Sequence, residues 1–143
     1  FHPFTDLLLY LAARNENIQS IIKKSYKKKV IIIDRFIYST LAYQFYGMNL
    51  SLDIINTLNK YIIGNIKPDF IFLHTVNRSN LKKRMKKRKI KNRYDKFNYE
   101  FYNKVQKGFI NILKKKKNVM LINTNKTINE NKVEILNKIK KII

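Results

Sequence analysis

Asp34 and Arg35 stand side by side directly after the run Val30-Ile31-Ile32-Ile33. An acid and a base at the end of a short β-branched run suit anion chemistry. The guanidinium can grip a phosphate through a bidentate fork, while the carboxylate orients it or takes a metal-bound water. The same dipeptide can also form a local ion pair or cap a helix. A second concentration of charge lies at 82–91, where eight of ten residues are basic. That density suffices to hold phosphate, although such runs are commonly solvated faces. Cysteine is absent and the histidines are His2 and His74. A disulfide scaffold and a thiolate metal site are therefore excluded, and a zinc site is not expected. His74 reads as an ordinary strand-end residue.

Three short apolar runs set the frame that must position these groups. Val30–Ile33, Phe70–Leu73 and Val119–Ile122 are continuous rather than alternating. Such runs predict strands buried on both faces, as in a parallel sheet. Helices are predicted between them. The first covers 5–29, capped by Thr5 or Asp6, with Leu8, Leu9, Ala12, Ala13, Ile18, Ile21 and Ile22 as its apolar face. Lys27–Lys29 near its end suit the helix dipole. Further helices are predicted at 37–46, at 52–63 between Ser51 and Gly64, and at 80–89 behind Ser79. Two more follow at 96–115 and from about 129 onward, the last with Val133, Leu136 and Ile139 on one side. The order α-β-α-α-β-α-α-β-α indicates one α/β domain over residues 1–143. In such sheets ligands bind beyond the carboxyl ends of the strands, where Asp34-Arg35 falls.

The formal net charge is +22, from 31 Lys and Arg against 9 Asp and Glu. Charge of that size points first to nucleic acid or another anionic surface. However, 25 Lys, 22 Ile and 18 Asn make up 65 of the 143 residues, and there are only 6 Arg, 3 Ala and 3 Gly. Those are the preferences of A/T-rich codons, so coding drift accounts for part of the charge. With 45% hydrophobic residues the chain can build a core. No apolar run approaches the roughly 18 residues of a membrane span, and no signal peptide is visible, so a cytoplasmic protein is expected.

The stretch Asp34-Arg35-Phe36-Ile37-Tyr38-Ser39-Thr40-Leu41-Ala42-Tyr43-Gln44 resembles the DR(Y/F/H)xxS(S/T)xAYQ block of thymidylate kinases. Upstream, Leu7-Leu8-Leu9-Tyr10-Leu11-Ala12-Ala13-Arg14 is similar to the LLLFAAxR helix of that family. Downstream, Pro68–Leu73 resembles its PDLxxxL strand. Arg93-Tyr94-Asp95 with Phe97, Phe101 and Val105 resembles its DRxE segment and following helix, and Val119–Asn123 its last strand. The resemblance implies a P-loop NTPase-like, nucleoside monophosphate kinase fold: an α/β parallel sheet with helices on both faces, here with its first strands missing. It implies ATP-dependent phosphorylation of dTMP to dTDP, with ATP and Mg2+, in a homodimer that pairs through helices including 5–29. A membrane partner is not implied, and nucleic acid is not the expected partner.

The family's residue roles carry over onto matching positions. Tyr10 takes the aromatic position that stacks on thymine, although a plain core role is open to it. Arg14, four residues on along the same helix face, takes the position that bonds the base. Arg35 matches the arginine bridging donor and acceptor phosphates, and Asp34 its acidic neighbour near magnesium. Ser39 and Thr40 fall in the loop facing the base. Tyr43 matches the aromatic beside the deoxyribose, Gln44 is adjacent for nucleotide contact, and Tyr94 matches an aromatic closing over the acceptor. Residues 82–95 fall where the family carries its lid over ATP, which makes Arg84, Arg88 and Arg93 phosphate contacts on closure, Arg84 and Arg88 with a catalytic part.

The chain departs from the family at its front. None of Gly47, Gly64 and Gly108 begins a GxxxxGK[ST] phosphate loop. About the first 60–70 residues of a typical member are expected to be absent by the placement of the blocks. The first residue is Phe1, so a partial sequence or a decaying gene is expected. In the family the missing strand lies between those at 30–33 and 70–73, so this chain alone is expected to be poorly stable and inactive. Asn92 stands for the usual Asp, Asp95 for Glu, and His74 for a strand-end Asp. A basic nucleic-acid-binding module and an inactive remnant are the competing readings.

Overall fold

The structure is a computed structural model that describes residues 2–87 and 97–143. Two compact units are present. One comprises Phe1–Pro68 with Asn103–Ile112, and the other Asp69–Tyr102 with Leu113–Ile143.

In the first unit, helix α1 spans Pro3–Asn17. Pro3 at the first helical position loses no bond by lacking an N–H. His2 caps the helix, its Nδ1 accepting from the Phe4 amide at 3.3 Å. The expected caps Thr5 and Asp6 lie within the helix instead. The helix widens into a π-helical stretch at Ile18–Ile22 and closes with α2, Lys23–Ser25. It therefore stops short of residue 29, where Lys27 turns left-handed at φ 61°. The buried line is Leu7, Leu11, Ile18 and Ile22, while Leu8, Leu9 and Ile21 are about half exposed, at 46%, 48% and 58%. Leu7–Leu11 is an unbroken apolar run, so periodicity alone does not choose its inner face; packing does. Ile55 of helix α4 (Leu52–Ile63) seals against Leu7 and Leu11, with Leu41, Phe45, Leu50, Leu58 and Ile62 around them. A second cluster joins Ile18, Ile22 and Ile63 to Ile31, Phe36 and Ile37. Ser51 precedes α4 as expected, without a side-chain capping bond. Gly64 ends the helix at φ 58°, a conformation that favours glycine.

Val30–Ile33 is not a strand. Ile32 is 87% exposed and Val30 64% exposed, and among the described residues the sheet has no third member. β-branched residues favour an extended chain, but a strand also needs a partner for its N–H and C=O groups.

Helix α3, Ile37–Thr40, continues directly into a second π-helical stretch, Leu41–Gly47. The expected helix at 37–46 is thus present but wound differently. Tyr46 from this stretch packs on Gly108 of helix α6 (Tyr99–Leu113). A Cβ at Gly108 would fall 2.7 Å from Tyr46 Cγ, and the Tyr46 ring is held edge-on by Phe45 at 4.8 Å. Helix propensity favours Gly→Ala by up to about 1 kcal/mol. Gly108→Ala is nevertheless expected to destabilise the chain by about 1–2 kcal/mol in urea melts, because overpacking outweighs propensity.

In the second unit, strand β1 (Ile71–Thr75) pairs in parallel with β2 (Val119–Asn123), in register from Ile71↔Val119 to Thr75↔Asn123. These are two of the expected strands. They are half-buried rather than buried on both faces: Leu73 and Ile122 point inward, while His74 and Leu121 are exposed. Helix α5, Arg78–Lys87, has no buried residue. Its cap is Asn77, whose Oδ1 accepts from the Asn80 amide at 2.8 Å, and Ser79 lies inside its first turn. The start of α6 is set by Asn98, whose Oδ1 accepts from the Phe101 amide, and by Phe97 stacked on Phe101 at 4.0 Å.

Helix α7, Ile128–Ile139, begins in a capping box. Glu130 Oε2 accepts from the Thr127 amide at 2.8 Å, and the Glu130 amide donates to Thr127 Oγ1 at 3.3 Å. Val133 and Leu136, expected with Ile139 on one side of it, are 58% and 44% exposed. The bonds from Thr127, with a smaller contribution from Lys126, hold the Glu130 carboxyl below its ordinary range. A depressed carboxyl contributes stability above its unfolded pKa and loses it as pH falls through the folded one. The first turn of α7 is thus expected to fray in acid, read from amide chemical shifts at 128–131. Glu130→Gln should flatten that pH dependence.

Candidate functional site

Arg35 is the focus of the first unit. Its backbone is left-handed at φ 66°, a conformation that costs a non-glycine residue on the order of 1–2 kcal/mol. Strained backbone of this kind gathers where a side chain must be aimed. The Arg35 guanidinium lies 4.9 Å from the Tyr43 ring centroid, a cation–π contact. Tyr43 is buried to 9% exposure, and its ring meets Phe109 edge-on at 6.4 Å. Arg35 itself is exposed, with its guanidinium over the largely buried Tyr43 ring.

Arg14 braces the same loop from α1. It donates to Asn59 Oδ1 of α4 at 3.0 Å and to the Phe36 carbonyl at 3.3 Å, and its guanidinium lies 5.8 Å from the Phe36 ring. Burial pushes the group down to about 10, which leaves it cationic at neutral pH. These bonds use two of the five donors an arginine carries. Tyr10, one turn earlier on α1, is 40% exposed.

Arg14 thus bonds Phe36, the residue next to Arg35, and Arg35 lies over Tyr43. Other expected residues sit differently. Ser39 and Thr40 belong to helix α3, not to a loop. Thr40 is 2% exposed, and its Oγ1 has no hydrogen-bond partner among the described residues. Gln44 is also 2% exposed, and its amide turns inward to donate to Asp6 Oδ2 at 3.0 Å. Asp34 is exposed.

Neither Asn59 nor Asp6 is among the site residues that the motifs pick out. The signal for Asn59 was legible: it falls midway in the stripe Ile55, Asn59, Ile63, and a polar residue at a core position usually has a bonding task. Asp6 beside Leu7 carries the same signal, but an acid near a helix start also fits a cap.

In the second unit, Arg84 donates to Thr124 Oγ1 at 3.1 Å and to the Thr124 carbonyl. Thr124 Oγ1 donates in turn to the Thr75 carbonyl at 2.8 Å. Asn125 Oδ1 accepts from the Asn77 amide and from Asn80 Nδ2, both at 3.0 Å. This network lies just past the carboxyl ends of β1 and β2, the ligand-binding end of a parallel sheet. Arg88, Arg93 and Tyr94 lie outside the described residues, and the expected lid at 82–95 is described only as far as Lys87. Among the described residues no group of three or more His, Cys, Asp or Glu could hold a metal ion, and no helix is long and apolar enough to cross a membrane.

A left-handed arginine over a tyrosine, braced by a second arginine, can hold an anion beside a planar ring. Comparison with known proteins identifies the family. The thymidylate kinase family model matches residues 1–135. The thymidylate kinase of Mycoplasma capricolum is 36% identical over 131 residues, covering 89% of this chain and 62% of that protein. That of the Wolbachia of Brugia malayi is 38% identical over 143 residues, covering 96% and 67%. The crystal structure of thymidylate kinase from Ehrlichia chaffeensis superposes with a TM-score of 0.74 at 29% identity, covering 97% of this chain and 67% of that one. The chain thus spans about two thirds of the length of these relatives. With the family model running over most of its length and the parallel α/β fold shared with a solved member, this chain belongs to the thymidylate kinase family.

Proposed function

We propose that this chain carries the dTMP-binding part of a thymidylate kinase, which transfers the γ-phosphoryl group of ATP to dTMP. The observation that supports the reading most is Arg35 laid over Tyr43, with its neighbour Phe36 held by Arg14. Arg35 grips the phosphate of dTMP and bridges it to the donor. Tyr10 stacks on the thymine and Arg14 donates to its edge. Ser39 lines the base side with the buried Thr40 beside it, and Tyr43 crowds the 2′ position of the sugar. Gln44 acts from behind Tyr43. Arg84, Arg88 and Arg93 reach ATP phosphates from a lid at 82–95, and Tyr94 closes over the acceptor. Residues 1–143 form part of one kinase domain.

Asp34 suits Mg2+ brought in with ATP, because it is an exposed carboxylate next to the phosphate clamp. That ion binds through one or two carboxylates together with substrate phosphates. Bound there, it would neutralise phosphate charge. The 143 residues contain no GxxxxGK[ST] stretch. The part of the reaction assigned to these 143 residues is monophosphate binding. The exposed Leu8, Leu9 and Ile21 on α1 support pairing of two copies through that helix. The nucleotide substrates support a cytoplasmic setting.

Adding dTMP to isotope-labelled chain tests the site. Shifts should centre on residues 10–14 and 35–44. Shifts confined to the lysine runs at 82–87 and 114–117 would show nonspecific anion binding and contradict the reading.

A further inference from the structure

The geometry points to Asp6 as a positioning residue that sets sugar discrimination, acting through Gln44 on Tyr43. The inference rests on the dTMP site proposed above. Asp6 is 3% exposed and Gln44 2% exposed, and Gln44 Nε2 donates to Asp6 Oδ2 at 3.0 Å. The bond joins α1 to the π-helical stretch Leu41–Gly47, thirty-eight residues away in sequence.

What that bond does follows from the packing around it. Leu41 and Phe45 press the stretch onto Leu7, Leu11 and Ile55. Apolar contacts of this kind hold two helices together but are non-directional. They allow the stretch to rewind toward ordinary α-helix, which would swing the side chains on it around the helix axis. A hydrogen bond is directional, and one to a carboxylate is stronger than a neutral one. Gln44 is bonded to Asp6 by its side chain, and its carbonyl accepts from the Leu50 amide at 2.9 Å, past the left-handed turn at Asn49. Gln44 is thus fixed at both ends. Tyr43 precedes it directly, so the rotation of Tyr43 under Arg35 and against Phe109 is fixed with it. Asp6 also lies four residues before Tyr10 and eight before Arg14 on one helix. One buried carboxylate therefore ties the helix of the base-binding residues to the segment that carries the sugar-facing ring. Hydrophobic substitution of Asp6 would keep the core and lose the register.

The test is calorimetric binding of dTMP and of its ribonucleotide counterpart to the 143-residue chain and its variants. Asp6→Ala and Gln44→Met should each weaken dTMP about tenfold and narrow the preference for the deoxy sugar by about the same factor. The double variant should be little worse than either single one, because both remove the Gln44–Asp6 bond. Asp6→Asn retains an acceptor and should recover most of the preference. Gln44→Met nearly conserves volume, so it reads the bond even where Asp6→Ala does not fold. Equal weakening of both nucleotides, with the preference unchanged, would mean a purely structural bond and overturn the inference. Absence of dTMP binding by the unmodified chain would instead overturn the site on which it rests.

Discussion

Arg35→Ala should lower phosphoryl transfer by at least about a thousandfold when the chain acts with a phosphate loop, the scale on which a phosphate-bridging arginine contributes to such transition states. In the isolated chain the same change should weaken dTMP by about tenfold or more. Fold and function separate cleanly at this position. Arg35 is exposed, and beyond its contact with Tyr43 its side chain bonds no described residue, so thermal stability should hardly move. Arg35→Lys should recover little, because an ammonium keeps the charge but loses the bidentate fork and the flat face over Tyr43. Steady-state kinetics on the three proteins decide it. A loss in KM alone, with kcat intact, would make Arg35 a binding residue only.

The second large effect is on stability. Ile55→Ala should cost about 2–5 kcal/mol, the usual range for emptying a buried aliphatic site. Ile55 is fully buried and joins α4 to Leu7 and Leu11, with Leu41 and Phe45 on the π-helical stretch against the same cluster. A cavity there loosens the segment that aims Tyr43 as well as the core. Against a typical total of 5–15 kcal/mol, such a loss leaves a substantial unfolded fraction. Urea melts followed by circular dichroism measure it. A change below about 1 kcal/mol would mean that the site collapses around the smaller side chain.

The strands at Phe70–Leu73 and Val119–Ile122 were legible because both are short continuous apolar runs bounded by turn residues. Val30–Ile33 has the same local signature and is not a strand. A run of β-branched residues states a preference, and the partner that converts it into a ladder is a nonlocal fact. The end of α4 was legible from Gly64, where local chemistry decides, while Ser51 stands before the helix without bonding it. The inner face of α1 was not, since five consecutive apolar residues fit more than one face. Arg35, Tyr43 and Arg14 could be picked out by motif, but the left-handed turn at Arg35 and the π-helical winding at 41–47 leave no mark in residue type. The buried Asp6–Gln44 bond was hidden for a related reason: an acid near a helix start reads as a cap until the helix is seen to begin three residues earlier.

The central claim is that these residues form a dTMP site. Calorimetric titration of the 143-residue chain with dTMP, dCMP and inorganic phosphate, at low and at physiological salt, tests it most directly. Binding of dTMP should be saturable and one-to-one, survive physiological salt, be at least about tenfold tighter than that of dCMP, and weaken by about tenfold or more in Arg35→Ala. Equal, weak and salt-sensitive binding of all three, unaffected by Arg35→Ala, would show only the lysine-rich surface at work and would contradict it.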